Sequence, residues 1–245
     1  MNQKKEEHFG YEAITKAEKG KKVKGVFDSV ATNYDLMNNL MSMGLHHVWK
    51  KILIETTTLK SKSKILDIAA GTGDITLELI KKNKDFEIFH TDINLAMLKE
   101  GKKKLINHGK IIPSILCDAE SLPFPNNYFD CVTIGFGLRN MTNKEKALKE
   151  IYRVISPGGK IIILEFSKIW QPLSKAYDIF SFKIVPKLGK LFAKDEESYK
   201  YLVESIRMHP DQNKLLKLLK SQGFEKTSFM NLSAGIVAIH KGYKF

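Results

Sequence analysis

Residues 65–76 read ILDIAAGTGDIT, and this stretch decides the fold. A short apolar run meets Gly71-Thr72-Gly73 and gives way at once to residues of helical spacing. That is the text of a buried strand, a tight turn and the first turn of a helix. Working outward, the pattern repeats. Residues 64–69 are the first strand and 74–84 its helix; 86–92 and 94–107 form the next pair. Residues 111–117 and 128–136 are the third and fourth strands. A helix over 143–156 is broken by Pro157-Gly158-Gly159, and 160–166 is the fifth strand. Strands alternating with helices imply a mostly parallel sheet covered on both faces. After an interruption, a helix over 211–221 stopped by Gly223 leads to two closing strands, 224–232 and 234–243.

The chain has 245 residues, enough for one full α/β domain. Apolar residues make up 43% and charged residues 27%, which excludes a wholly disordered or fibrous chain. Residues 1–25, polar and rich in Lys and Glu, read as a mobile tail ahead of a single domain over 26–245. Within it, 26–60 read as lid helices. Residues 168–210, with Trp170, Tyr177, Phe180, Phe182, Tyr199 and Tyr201, read as a helical insertion, either packing on the sheet edge or serving as a substrate lid. No run is long and apolar enough for a membrane span, and the opening residues resemble no secretory leader. Two cysteines, Cys117 and Cys131, cannot form a disulfide scaffold; they lie in predicted strands, read as core residues, and suit a reducing cytosol. The net charge of +13 favours anionic partners, nucleic acid or bilayer, although the lysines are spread from end to end. Only three of the 40 cations are arginine: Arg139, Arg153 and Arg207.

The glycines of 71–73 follow a strand and open a helix, where backbone N–H groups are free and a ligand can approach closely. A dinucleotide fingerprint needs a third glycine, but that position is Thr76. Instead Asp67 lies four residues ahead of Gly71. This arrangement resembles motif I of the class I S-adenosylmethionine-dependent methyltransferases. Asp92, followed by Ile93, ends the second strand, where a carboxylate can accept both ribose hydroxyls; the competing reading is a helix cap. Asp118 and Ala119 end the third strand. In the methyltransferases an acid there commonly meets the adenine amino group; turn formation is the alternative.

Longer segments resemble the UbiE/MenG family of ubiquinone and menaquinone C-methyltransferases. They are FDSVATNYDLMN (27–38), SMGLHHVWK (42–50), DAESLPFPNNYFDCVTIGFGLRN (118–140), EIYRVISPGGK (150–160), LEFSK (164–168), PLSKAYD (172–178), YLVESIRMHPDQ (201–212) and GYKF (242–245). The resemblance covers residues 26–245. It implies a Rossmann-like class I methyltransferase fold: seven strands, helices on both faces, N-terminal helices and a helical insertion before the last two strands. It implies S-adenosylmethionine as co-substrate, held by Asp67, Gly71, Thr72, Gly73, Asp92, Ile93, Asp118, Ala119 and Gly135, and no metal. The reaction implied is methyl transfer to a ring carbon of a polyprenyl quinol, of either series or both. Two positions depart from the family pattern. Ala70 replaces a common glycine, and Gly135 replaces a common serine, leaving only a backbone contact.

Such a reaction needs in-line alignment, exclusion of water, and help for a developing quinolate. Arg139, just past the fourth strand, is the electrostatic candidate at the crevice mouth, with a structural ion pair as its alternative. Tyr34 is read as part of a lid near the sulfonium. His46 has the right intrinsic pKa for a base but sits beside Trp49 on an amphipathic stretch. His209 is a weaker candidate, with Arg207 as partner in a structural clasp, and Arg153 reads as structural. A lipid-soluble substrate implies a cytoplasmic protein with peripheral contact at the inner face of the membrane. A homodimer or a quinone-synthesis complex are further partners it allows. The rival readings are an RNA methyltransferase, disfavoured because the Asn/Asp-Pro-Pro-aromatic turn and a Pro-Cys nucleophile are both absent, and a non-catalytic assembly factor. Nucleic acid is not expected as a partner.

Overall fold

The computed structural model describes residues 7–193 and 195–245. An antiparallel hairpin, β1 (Glu7–Phe9) and β2 (Glu12–Ile14), leads into three helices: α1 (Lys16–Val30), α2 (Tyr34–Ser42) and α3 (Leu45–Glu55). The alternating part follows: β3 (Lys64–Ile68), α4 (Asp74–Lys82), β4 (Glu87–Asp92), α5 (Leu95–Asn107), β5 (Ser114–Leu116), β6 (Phe129–Gly135), α6 (Lys144–Val154) and β7 (Ile155–Phe166). Then come α7 (Ser174–Ile179), α8 (Val185–Leu188), α9 (Glu196–Met208), α10 (Gln212–Ser221), β8 (Glu225–Leu232) and β9 (Val237–Tyr243). Two wide, π-type turns, Phe180–Ile184 and Gly189–Ala193, flank α8.

The seven-stranded sheet has the order β5-β4-β3-β6-β7-β9-β8. Its first five strands are parallel, and β9 and β8 are antiparallel. The expected α/β architecture is therefore present. Strand side chains alternate between two cores, as period two requires. Ile65, Ile162 and Leu164 face α3 and α4, with Trp49, Leu53 and Leu79. Leu66, Ile161 and Ile163 face α6 and α10, with Leu148, Ile151 and Leu219. Short polar side chains start the helices: Asn94 caps α5, Asn143 caps α6, Asp195 caps α9 and Asp211 caps α10, each accepting a backbone N–H.

Two expected elements differ from the structure: the helix expected over 143–156 ends at Val154, β7 begins at Ile155 and already includes Pro157-Gly158-Gly159, and the N-terminal tail is largely ordered. Of the proposed tail 1–25, residues 1–6 lie outside the described residues, whereas 7–25 form the hairpin and most of α1. Thr15 and Glu18 make a reciprocal capping box at the start of α1. Phe9 stacks on Tyr201 of α9 with centroids 4.1 Å apart, and the backbone N–H of Tyr11 donates to Glu204. The polar composition hid these partners because they come from almost 200 residues away.

The sheet positions the glycine turn through one close approach. A β-carbon on Gly101 of α5 would lie 2.3 Å from the Gly71 carbonyl oxygen and 2.7 Å from the His90 ring. Gly101→Ala is expected to destabilise the chain by about 1–3 kcal/mol through overpacking. Gly25→Ala, in α1 with nothing within 4 Å of the new methyl, is expected to raise stability by up to about 1 kcal/mol. Denaturant unfolding of both variants checks the pair.

Candidate functional site

At the carboxyl ends of β3, β4 and β5 lies a cavity of about 310 Å³. Its floor is Ile68, Ala69 and Gly71, and one wall is Asp92, Ile93 and Asn94. Asp118 and Ala119 close one side, and Phe136, Gly137, Asn140 and Met141 close the other. Val23 and Phe27 of α1 and Tyr34 of α2 cover it.

The glycine turn is backbone-driven. Gly71 and Gly73 take φ of +54° and +80°, values that disfavour a side chain. The Gly71 N–H donates to Asp92 Oδ2 at 2.9 Å, and the Asn94 N–H donates to Oδ1 at 2.8 Å. Burial pushes the Asp92 carboxyl up to about 6, against these N–H groups, which favour its ionised form. Asn94, not Asp92, caps the following helix. Each Asp92 oxygen keeps acceptor capacity for a ribose hydroxyl. Asp118 accepts the Glu120 N–H on one oxygen and lines the cavity, so it makes a turn and faces the cavity at once. Two carboxylates, Asp92 and Asp118, with Ile93, Ala119 and Met97 as apolar neighbours, make a lining whose chemistry fits an adenosine.

Several expected residues sit beneath this surface. Asp67 is wholly buried; its two oxygens accept the hydroxyls of Thr76 (2.7 Å) and Thr133 (2.8 Å). Burial pushes its carboxyl up to about 7, partly offset by those donors. It holds the turn and lines no part of the cavity. Gly73 starts α4, and Thr72 turns away to donate to Asp35 of α2. Lys104 bridges Asp35 and Asp74 at 2.8 and 2.6 Å, and Lys50 meets Asp74 at 2.5 Å. Burial would raise the Asp74 carboxyl, but the two ammonium groups outweigh it and hold it well below the usual range. This network fastens α2 and α3 to the glycine turn. Gly135 also stays out of the cavity, because the Ile75 δ-methyl fills the space its side chain would need.

The expected catalytic residues divide. Tyr34 reaches the cavity, and burial pushes its phenol up to about 12 despite nearby Arg139. Arg139 is not at the mouth. It is buried behind the far wall, 2.9 Å from Glu165 of β7, and also donates to the Phe136 carbonyl. Its Nε has no hydrogen-bond partner among the described residues. His46 lies away from the cavity, bonded to Asn39 and in tilted ring contact with His47; burial, then Lys50, pushes it down to about 4. His209 makes no clasp with Arg207, which pairs instead with Asp178. Arg153 knits Glu150 to the carbonyls of Leu122 and Phe124. Cys131 is core, but Cys117 lines the cavity; burial pushes its thiol up to about 11, which keeps it neutral.

The sequence reading missed the α1 wall. Gly20, Val23, Lys24 and Phe27 all line the cavity, and their spacing of three, one and three residues is a helical face set among lysines. Asn94 holds that helix down by donating to Asp28 at 2.8 Å. Asn140 also went unread, although it follows Arg139 directly; Tyr201 donates to it at 2.9 Å.

Sheet order, glycine turn and acidic pair define an S-adenosylmethionine-dependent methyltransferase. Solved structures share the fold. A SAM-dependent methyltransferase from Aquifex aeolicus matches with TM-score 0.63 at 14% identity, covering 86% of this chain and 98% of that one. The [4+2]-cyclase SpnF matches with TM-score 0.62 at 18% identity, covering 81% and 80%. At such identities the likeness concerns the fold alone. The chain belongs to the ubiE/COQ5 methyltransferase family, whose model matches residues 15–244. The ubiquinone/menaquinone biosynthesis C-methyltransferase UbiE of Burkholderia vietnamiensis is 55% identical over 239 residues, 97% of this chain and 98% of the relative.

His90 supports the turn from below. Its Nε2 meets the Gly71 carbonyl at 3.2 Å, and burial pushes the ring down to about 4. The unfolded chain therefore takes up this proton first. The stability from neutral His90 is complete above about pH 6.5 and is lost as pH falls toward 4. Buried Asp67 and Asp92 act in the opposite sense, so the difference between two proteins is the useful quantity. Between pH 7 and 5 the parent is expected to lose about 2 kcal/mol more than His90→Gln. Unfolding free energies at both pH values measure it.

Proposed function

We propose that this chain holds S-adenosylmethionine in the cavity and methylates a ring carbon of a polyprenyl quinol in ubiquinone or menaquinone synthesis. The observation that carries this reading is the Asp92–Asp118 pair opening into an apolar chamber. The 55% identity to a UbiE C-methyltransferase supports the substrate class.

Asp92 accepts the ribose hydroxyls and Asp118 the adenine amino group. Ile93 and Ala119 flank the base, and Gly71 allows the close approach. Asp67, Thr72, Gly73 and Gly135 act through the shape of the turn. Bound there, S-adenosylmethionine supplies an electrophilic methyl carbon. The chain's own residues supply alignment and dryness. Phe27, Phe136, Met97 and Met141 exclude water from the reacting atoms. Tyr34, its phenol pushed up to about 12, donates a hydrogen bond to a quinol oxygen and does not take the ring proton, which passes to water as the product leaves the chamber. Arg139, ion-paired with Glu165, is no base; it acts through its field on Tyr34 and the chamber. The setting proposed is the cytosol, with contact at the inner membrane face where the isoprenoid tail resides.

The test is a labelled-methyl assay with reduced demethylmenaquinol, reduced methoxy-polyprenyl-benzoquinol and bulk RNA in parallel. Label is expected in one or both quinols, and only when they are reduced; label in RNA alone overturns the reading. Asp92→Asn is expected to raise KM for S-adenosylmethionine about 10- to 100-fold, the loss of a charge-assisted bond, with a smaller effect on kcat. Steady-state kinetics checks the split.

A further inference from the structure

Residues 170–191 carry an outer surface that water does not favour. Trp170, Leu173, Ile179, Phe182, Ile184 and Leu191 are all exposed, from 40% for Phe182 to 72% for Leu191. The inner side of the same run is settled. Ser181, Val185 and Gly189 recur every four residues and are buried; Val185 packs with Tyr199 and Val203 of α9, and Gly189 lies against the Tyr199 ring. The run is therefore anchored by one face and presents the other. So many exposed apolar side chains on one short run mark a candidate interaction surface.

The charges around it select the partner. Lys168, Lys175, Lys183, Lys187 and Lys190 stand in or beside the run, against one acid, Asp178. That acid is neutralised by Arg207 at 2.5 Å. Lys190 reaches Glu196, whereas Lys175, Lys183 and Lys187 have no acidic partner among the described residues. Exposed apolar side chains interleaved with unpaired lysines are the composition of a segment lying in a membrane interface. The stems bury, the ammonium groups meet phosphates, and tryptophan prefers the headgroup level. A second copy of the same face is disfavoured, because a two-fold contact would set these lysines against themselves. Among the described residues no helix is long and apolar enough to cross a membrane, so contact in the interface plane is the mode this segment suits. The surface also adjoins the chamber: α2 packs on α8 and carries Tyr34 into the cavity.

We propose that residues 170–191 dock the chain onto an anionic phospholipid bilayer, with Trp170, Leu173 and Leu191 inserted and Lys175, Lys183 and Lys187 on the headgroup phosphates. The benefit of this docking rests on the quinol reading; the surface itself does not. The chain contains its own reporter. Of its two tryptophans, Trp49 is 3% exposed and Trp170 is 64% exposed, so a change in emission on vesicle addition reports Trp170.

The experiment adds the full chain to phosphatidylcholine vesicles with or without phosphatidylglycerol, and follows emission, acrylamide quenching and flotation. A blue shift and protection from quencher are expected with phosphatidylglycerol and not without it, weakening as salt is raised. Combined Lys175→Glu, Lys183→Glu and Lys187→Glu are expected to lower vesicle partitioning by at least about tenfold. The same variant should methylate a short-tailed, water-soluble quinol at the parent's rate. Two results overturn the docking proposal: no partitioning onto phosphatidylglycerol vesicles, or undiminished flotation of the triple variant. Flotation without methylation of the soluble quinol leaves docking standing and refutes the activity instead.

Discussion

Everything at the cavity depends on one buried carboxyl. Asp67 has no solvent contact, yet it sits between the hydroxyls of Thr76 and Thr133 and joins β3 to α4 and to β6. Its carbonyl oxygen accepts a third hydroxyl, that of Thr91 on β4. A lone buried charge would be costly; here two donors and a carboxyl pushed up to about 7 reduce the penalty. The glycine turn is then fixed from below by Asp67 and His90, from the side by Gly101, and from above by Thr72 on Asp35. With its backbone so held, Gly71 presents its N–H to Asp92, which sets that carboxylate at the edge of the cavity.

A second constraint follows from the N-terminal helices. Lys104 and Lys50 gather Asp35 and Asp74 into one network beside the turn, so α2 and α3 are tied to the same backbone that shapes the site. Tyr34 enters the chamber from α2, and α1 lies across it through Asn94 and Asp28. The roof is thus coupled to the floor by ion pairs and hydrogen bonds, while the chamber between them stays largely apolar. That division suits chemistry in which a positively charged methyl donor meets a ring of low polarity away from water.

How much of this was legible follows from where the partners lie. The strand–turn–helix units could be read because their signals are local: period two, then glycine, then period 3.6. Asp92 and Asp118 fell at the cavity because strand ends fix position in a parallel sheet. Arg139 was placed at the mouth because nothing near it announces Glu165, 26 residues on, which draws it into the interior. His46 appeared suitable by type, but its bond to Asn39 turns it from the site. The α1 wall was hidden because its cavity-facing residues include Gly20 and Lys24, and its anchors are Asn94 and, through the hairpin, Tyr201 and Glu204.

The most direct measurement is a crystal structure of the chain with S-adenosylhomocysteine. The expected result places the ribose hydroxyls on the Asp92 oxygens, the adenine between Ile93 and Ala119, and the sulfur toward Tyr34 and Phe136. Asp67 should remain bonded to its two threonines beneath the turn. A nucleoside seated away from Asp92, or a sulfur turned out of the chamber, would contradict the assignment of this cavity as the methyl-transfer site.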